Sequence, residues 1–97
     1  MIDLGQIVDF EWDEGNKDKS YQKHGITTSE TEEVFLDPNQ LVLDDVRHSQ
    51  AEDRFIIIGK NTKKTVLLVV FTIRKNKIRV ISARSANAKE RRLYGKT

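Results

Sequence analysis

The chain has no cysteine, so neither disulfides nor thiolate metal sites can stand in for a hydrophobic core. Proline occurs once and glycine five times, and neither clusters into a linker or low-complexity tract within the 97 residues. Halves of such a chain would be too small to bury stable cores. A single domain over residues 1–97 is predicted, with a loose tail at 1–6. Long apolar runs are also missing. The longest, Val66 to Phe71, falls far short of the roughly 20 residues that span a bilayer. The start, MIDLGQIVDFEWDE, is acidic and lacks the basic and apolar regions of a signal peptide. A cytoplasmic protein without membrane contact is expected.

Several kinds of chemistry are absent as well. There is no glycine-rich phosphate loop, no serine-centred elbow and no paired-histidine helix, so no nucleotide cofactor is expected. The two histidines, His24 and His48, do not make an ordinary structural zinc site without cysteine, and no metal is expected. Aromatic residues are few in the second half. Only Phe55, Phe71 and Tyr94 occur there, and the first two read as core, so no base-stacking platform is evident.

What the chain does have is charge, unevenly placed. Residues 1–50 carry 4 Lys+Arg against 12 Asp+Glu, a net of −8; residues 51–97 carry 13 against 3, a net of +10. A basic half suits an anionic partner, either nucleic acid or an acidic protein surface.

Hydrophobic periodicity gives the elements. Ile7–Trp12 alternates as a half-buried strand. Asp13 caps a helix that runs to about His24, with Gly25 at the C′ position. Thr27 and Glu30 form a capping-box pattern for a second helix, Thr27–Leu36, which Pro38 terminates. Strands follow at Gln40–Asp44, Arg54–Lys60, Thr65–Ile73 and Ile78–Ala83, with short turns joining the last three. Ser85 is placed to cap a final helix from Ala86 to about Tyr94. The order predicts an α+β domain: an antiparallel meander, two N-terminal helices on one sheet face, and a short C-terminal helix.

Basic groups gather around the meander. Ile78 and Val80 share one parity and Arg79 the other, so Arg79 points away from whatever they pack against. Arg54 opens its strand beside Glu52, Arg84 ends the last strand, and Arg91, Arg92 and Tyr94 follow on the terminal helix. Guanidinium forks suit phosphate. Arg84 has opposite parity to Arg79, so the two converge only if the strand bends or bulges between them. RNA cleavage without metal needs a base for the 2′-hydroxyl, positive groups on the phosphorane and an acid for the 5′-oxygen. Glu52 or a histidine suits the base. Arg54, Arg79 and Arg84 suit the phosphate, and His24, His48 or Tyr94 the acid.

Read end to end, the sequence resembles the BrnT family of bacterial toxins. The likeness runs from Phe10-Glu-Trp-Asp13 through Lys23-His-Gly25, Val34-Phe-Leu-Asp-Pro38 and Glu52-Asp-Arg-Phe55. It ends in Arg79-Val-Ile-Ser-Ala-Arg84 and Glu90-Arg-Arg-Leu-Tyr94. It covers about residues 8–95, and the tail motif is the most specific part. Ser85 stands where the family usually has a second arginine, which removes one positive charge beside the site. The resemblance implies a RelE-like ribonuclease fold and a type II toxin that cleaves RNA and inhibits translation. It also implies a BrnA-like ribbon-helix-helix antitoxin, with two toxins on an antitoxin dimer and operator DNA bound only through the antitoxin. On this reading His24, Glu52, Arg54, Arg79 and Arg84 are the catalytic set. Lys23, His48, Arg91, Arg92 and Tyr94 bind RNA. The competing reading is a catalytically weak module whose basic face mainly docks the antitoxin and co-represses the operon.

Overall fold

Apolar residues on both parities of Phe55–Ile58 call for a strand covered on two sides. The chain places that strand inside a sheet in the computed structural model, which describes residues 9–12, 25–45 and 53–95. The elements are β1 (Asp9–Glu11), α1 (Thr28–Val34), β2 (Leu41–Asp44), β3 (Arg54–Lys60), β4 (Val66–Arg74), β5 (Lys77–Ser85) and α2 (Ala88–Tyr94). The expected tail at 1–6 and the expected helix from Asp13 to His24 lie outside the described residues.

The strands form one five-stranded sheet in the order β1-β5-β4-β3-β2. From β2 to β5 it is the antiparallel meander read from the sequence. β1, to which the sequence reading gave no partner, adds a parallel pairing with β5 at the meander's edge. Alternation marks a segment as a strand, but the choice of partner is made by non-local packing. The β4–β5 hairpin closes through Lys75 and Asn76, both at positive φ (52° and 63°). That conformation matches the two-residue turn whose twist suits the flanking strands.

Pairing register assigns each side chain to a face. Phe55, Ile57, Val69, Phe71, Ile78, Val80 and Ala83 share one face and join Val34 of α1 in the main cluster. Phe35 bridges Phe10 and Phe71 edge-on, with ring centroids 5.3 and 5.0 Å apart. Such pairs add about 0.5–1.5 kcal/mol each beyond area burial. Trp12 Nε1 donates to Glu32 Oε2 at 2.8 Å, fastening the end of β1 to α1. The α1 capping box forms as read, with Glu30 N donating to Thr27 Oγ1 and Thr27 N to Glu30 Oε1. Gly59 lies under this helix because a Cβ there would stand 2.8 Å from Val34 Cγ1.

The C-terminal helix meets the other face. Lys60 and Arg84 lie on it by register, and both engage α2, through Tyr94 and Glu90 respectively. Helix α2 therefore crosses one end of this outer face. Its start also differs from expectation. β5 continues to Ser85, which pairs with Leu67, so Ser85 is a strand residue. Asn87 is the cap, accepting from Glu90 N while Glu90 accepts from Asn87 N. Asn87 has the Glu three residues later that Ser85 lacks, and the reciprocal pair decides the boundary.

Candidate functional site: the outer face of the sheet

The register between β4 and β5 breaks once. Val70 pairs with Ser82 and Phe71 with Val80, which leaves Ile81 without an opposite residue. This is a β-bulge, and it reverses the parity of everything after it. Before it, Arg79 pairs with Thr72 on the outer face; after it, Arg84 pairs with Leu68 on that same face. The condition under which Arg79 and Arg84 could share a face is thus met by an inserted residue. Arg54 joins them, since it too pairs with Thr72.

The outer face reads as rows. Glu11, Arg79, Thr72 and Arg54 lie side by side across β1, β5, β4 and β3. With strands about 4.8 Å apart, Arg79 and Arg54 stand roughly 10 Å apart at Cα, astride Thr72. Thr72 is buried and donates from Oγ1 to Asp53 O at 2.7 Å, so the floor between the arginines is fixed. In the next row, Val70 and Ile56 offer partly buried aliphatic carbon beside the exposed Ser82. Arg84 closes the far end, four β4 residues from Thr72, or roughly 13 Å. Two cations astride a fixed floor, with an apolar strip alongside, can hold a phosphate next to a ribose or base.

The arginines differ in their partners. Arg79 Nη1 stands 3.9 Å from Glu11 Oε1, and the Glu11 side chain is 46% exposed. At that separation the pair is a loose surface contact. Arg84 is gripped. Its Nη1 and Nη2 donate to Glu90 Oε1 and Oε2, each at 2.8 Å, the bidentate geometry of a strong pair. That hydrogen bonding raises the Arg84 pKa against the lowering effect of burial, and it lowers that of Glu90. Arg91 Nη1 donates to Ala86 O at 2.6 Å, and Arg91 and Arg92 are exposed on α2.

Tyr94 is drawn into a cluster the sequence reading missed. Its hydroxyl donates to Asp37 Oδ2 at 2.6 Å, and Lys60 Nζ lies 5.9 Å from its ring centre. β2 begins opposite Ile58, so the Lys60 N–H faces past its start, and Asp37 Oδ2 accepts it at 2.8 Å. Burial pushes the Asp37 carboxyl up. Hydrogen bonds from Tyr94, Asn39 and Lys60, with the Lys60 charge, outweigh it and hold the group below the usual value. Tyr94 is pushed up to about 12, by burial first and then by donating to the charged Asp37. Asp37 and Tyr94 lie 57 residues apart, and each has an ordinary local role, as helix stop and helix aromatic.

Of the sequence-derived set, Arg54, Arg79 and Arg84 come together on one face, with Tyr94, Arg91 and Arg92 on the helix at its end. Lys23, His24, His48 and Glu52 lie outside the described residues. Among the described residues, no group of three or more His, Asp or Glu side chains is placed to hold a metal ion, and no helix is long and apolar enough to cross a membrane.

A family model described as BrnT, the ribonuclease toxin of a type II toxin–antitoxin system, matches residues 12–90. Among solved structures, the crystal structure of the Brucella abortus ribonuclease toxin BrnT is similar at 25% sequence identity. The match has a TM-score of 0.62 and covers 82% of this chain and 97% of that one. A search of curated proteins gives no match.

Proposed function

The chain belongs to the BrnT family of ribonuclease toxins of type II toxin–antitoxin systems, and from that premise we propose a cytoplasmic, metal-independent endoribonuclease that arrests translation. The single observation that carries this reading is the β5 bulge, which sets Arg84 on the face that Arg54 and Arg79 already share. Arg54 and Arg79 receive the scissile phosphate above Thr72 and stabilise its growing charge, as positioned donors do. Arg84 takes a flanking phosphate when Glu90 yields its fork. The substrate's 2′-hydroxyl is the nucleophile, and Glu52, His24, His48 and Tyr94 stay as acid–base candidates from the sequence. Lys23, Arg91 and Arg92 add positive charge along the RNA. The domain is RelE-like, with α1 on the core face.

A BrnA-like antitoxin with a ribbon-helix-helix domain neutralises the toxin by covering the outer face. Because that face is basic, the covering segment is net acidic, and association slows as salt rises. The complex, with two toxins on one antitoxin dimer, reaches operator DNA through the antitoxin. A second reading, a weak enzyme whose basic face chiefly docks the antitoxin, draws support from Arg84, whose phosphate-shaped fork is already filled by Glu90.

The test is direct. Purified protein with RNA in excess EDTA should produce fragments ending in 2′,3′-cyclic phosphate. Activity lost on chelation and restored by Mg²⁺ or Mn²⁺ overturns the mechanism. No cleavage under any condition, with growth unaffected by expression without antitoxin, favours the docking module.

A further inference from the structure

We propose that Glu11 is the general base that takes the 2′-hydroxyl proton, an inference that rests on the ribonuclease reading above. Glu11 is on the edge strand β1, in the same cross-strand row as Arg79, Thr72 and Arg54. Its carboxylate is 3.9 Å from Arg79 Nη1 and about half exposed. It therefore lies beside a phosphate held by Arg79 and open to the ribose attached to it. Three features suit the role. A carboxylate at that distance is oriented toward the arginine without being consumed by a bidentate pair, unlike Glu90 on Arg84. The parallel pairing of β1 with β5 fixes Glu11 against Arg79 by backbone register, so the pair is positioned by the sheet. And the neighbouring core anchors, Phe10 and Trp12, hold β1 down on either side of Glu11.

The step balances without a co-reactant. The 2′-O–H bond breaks and its proton passes to a Glu11 carboxylate oxygen. The 2′-oxygen bonds to phosphorus as the P–O5′ bond breaks, the 5′-oxygen takes a proton from water, and the hydroxide left recovers the proton held on Glu11. The products are a 2′,3′-cyclic phosphate and a 5′-hydroxyl. The charged groups facing Glu11 among the described residues are Asp9 on its own strand, and Lys77 and Arg79 on β5. Lys77 pairs with Asp9 in register, so Arg79 is the cation directly opposite Glu11.

The test compares E11Q with R79A in single-turnover cleavage, and measures binding of a 2′-O-methyl RNA that cannot react. E11Q should slow cleavage by about 10²–10³, within the range for a lost general base. It should bind the unreactive RNA within about twofold of the parent and lose the acidic limb of the pH–rate profile. E11D should keep that limb at a reduced rate. If E11Q cleaves at the parent rate while R79A is slow, Glu11 is not the base, although the arginine face stands. If E11Q weakens RNA binding as much as it slows cleavage, its role is structural and the proposal fails. If neither variant affects cleavage, the outer face is not the active site, and both readings fall.

Discussion

Each end of the outer face pairs an arginine of β5 with a glutamate, yet the two pairs behave differently. At one end Arg79 and Glu11 are 3.9 Å apart on neighbouring strands. At the other, Arg84 and Glu90 share two bonds of 2.8 Å, made possible because Glu90 is fixed by its own capping box on α2. Tyr94, Lys60 and Asp37 then tie that helix to the strand beneath. The same chemical pairing is thus a loose contact at one end and part of the architecture at the other. The difference comes from what holds the carboxylate, since an isolated surface pair gives about 0–1 kcal/mol and a cooperating network gives more.

The sharpest way to break this comparison is to remove the arginine at each end. Arg79→Ala should lower RNA cleavage by about 10²–10³, the usual cost of one transition-state donor. Its stability should change by less than about 0.5 kcal/mol, as for an ordinary surface site. Arg84→Ala should show the reverse emphasis, with a loss of about 1–2 kcal/mol in denaturant unfolding as the Glu90 carboxylate loses its charged donor, and a smaller effect on cleavage. Equal activity losses with unchanged stability in both would show that the two ends are alike.

A change beneath the latched end comes next in size. Gly59→Ala would set a Cβ 2.8 Å from Val34 Cγ1, 3.1 Å from Val34 O and 3.4 Å from Asp37 Oδ2. Overpacking of this kind costs about 1–3 kcal/mol, so unfolding should shift to lower denaturant with an unchanged slope. A neutral result would mean that α1 and the Asp37 loop can move away, and that the latched end is softer than its contacts imply. Glu90→Ala removes both the capping reciprocity and the Arg84 partner at once. A loss of about 1–2 kcal/mol is expected from the cap and the charge-assisted bonds together, read by the same unfolding curves.

Much of this was legible in the sequence where the signal was local. The Arg54–Lys60 strand was read with the bounds it has, because both faces are apolar and a polar turn follows. The Thr27–Glu30 capping box was read because its two partners are three residues apart. Parity alone sent Arg79 away from Ile78 and Val80, and it also raised the need for a bulge before Arg84. Its position at Ile81 was not legible, since a bulge is set by the partner strand's register. The same holds for the parallel partner of β1. Arg84 was read as a phosphate ligand, and its capture by Glu90, six residues on, was not foreseen. The pairing of Tyr94 with Asp37 was not legible because 57 residues separate them.

The smallest expected effect tests the latch by pH. Tyr94 is pushed up to about 12 in the folded chain, against an ordinary tyrosine value near 10. Between those values the folded state holds a proton that the unfolded state has released. Stability from this contact is therefore fully present below about pH 10 and is lost as pH rises toward about 12. Asp37 works in the opposite sense. Its folded pKa is lowered, so its contribution is present above the ordinary carboxyl value of about 3.9 and is lost as pH falls below that. Tyr94→Phe removes the hydroxyl while keeping the ring under Lys60, and should cost about 1 kcal/mol at neutral pH, in the range for one hydrogen bond. The parent's advantage over Tyr94→Phe should then shrink between about pH 10 and 12, where comparison of the two proteins cancels lysine titration common to both. Parallel stability profiles through that range would mean that the hydroxyl does not hold α2 to Asp37. The closed end of the face would then owe its rigidity to Glu90 and Arg84 alone, and the contrast between the ends would rest on one ion pair.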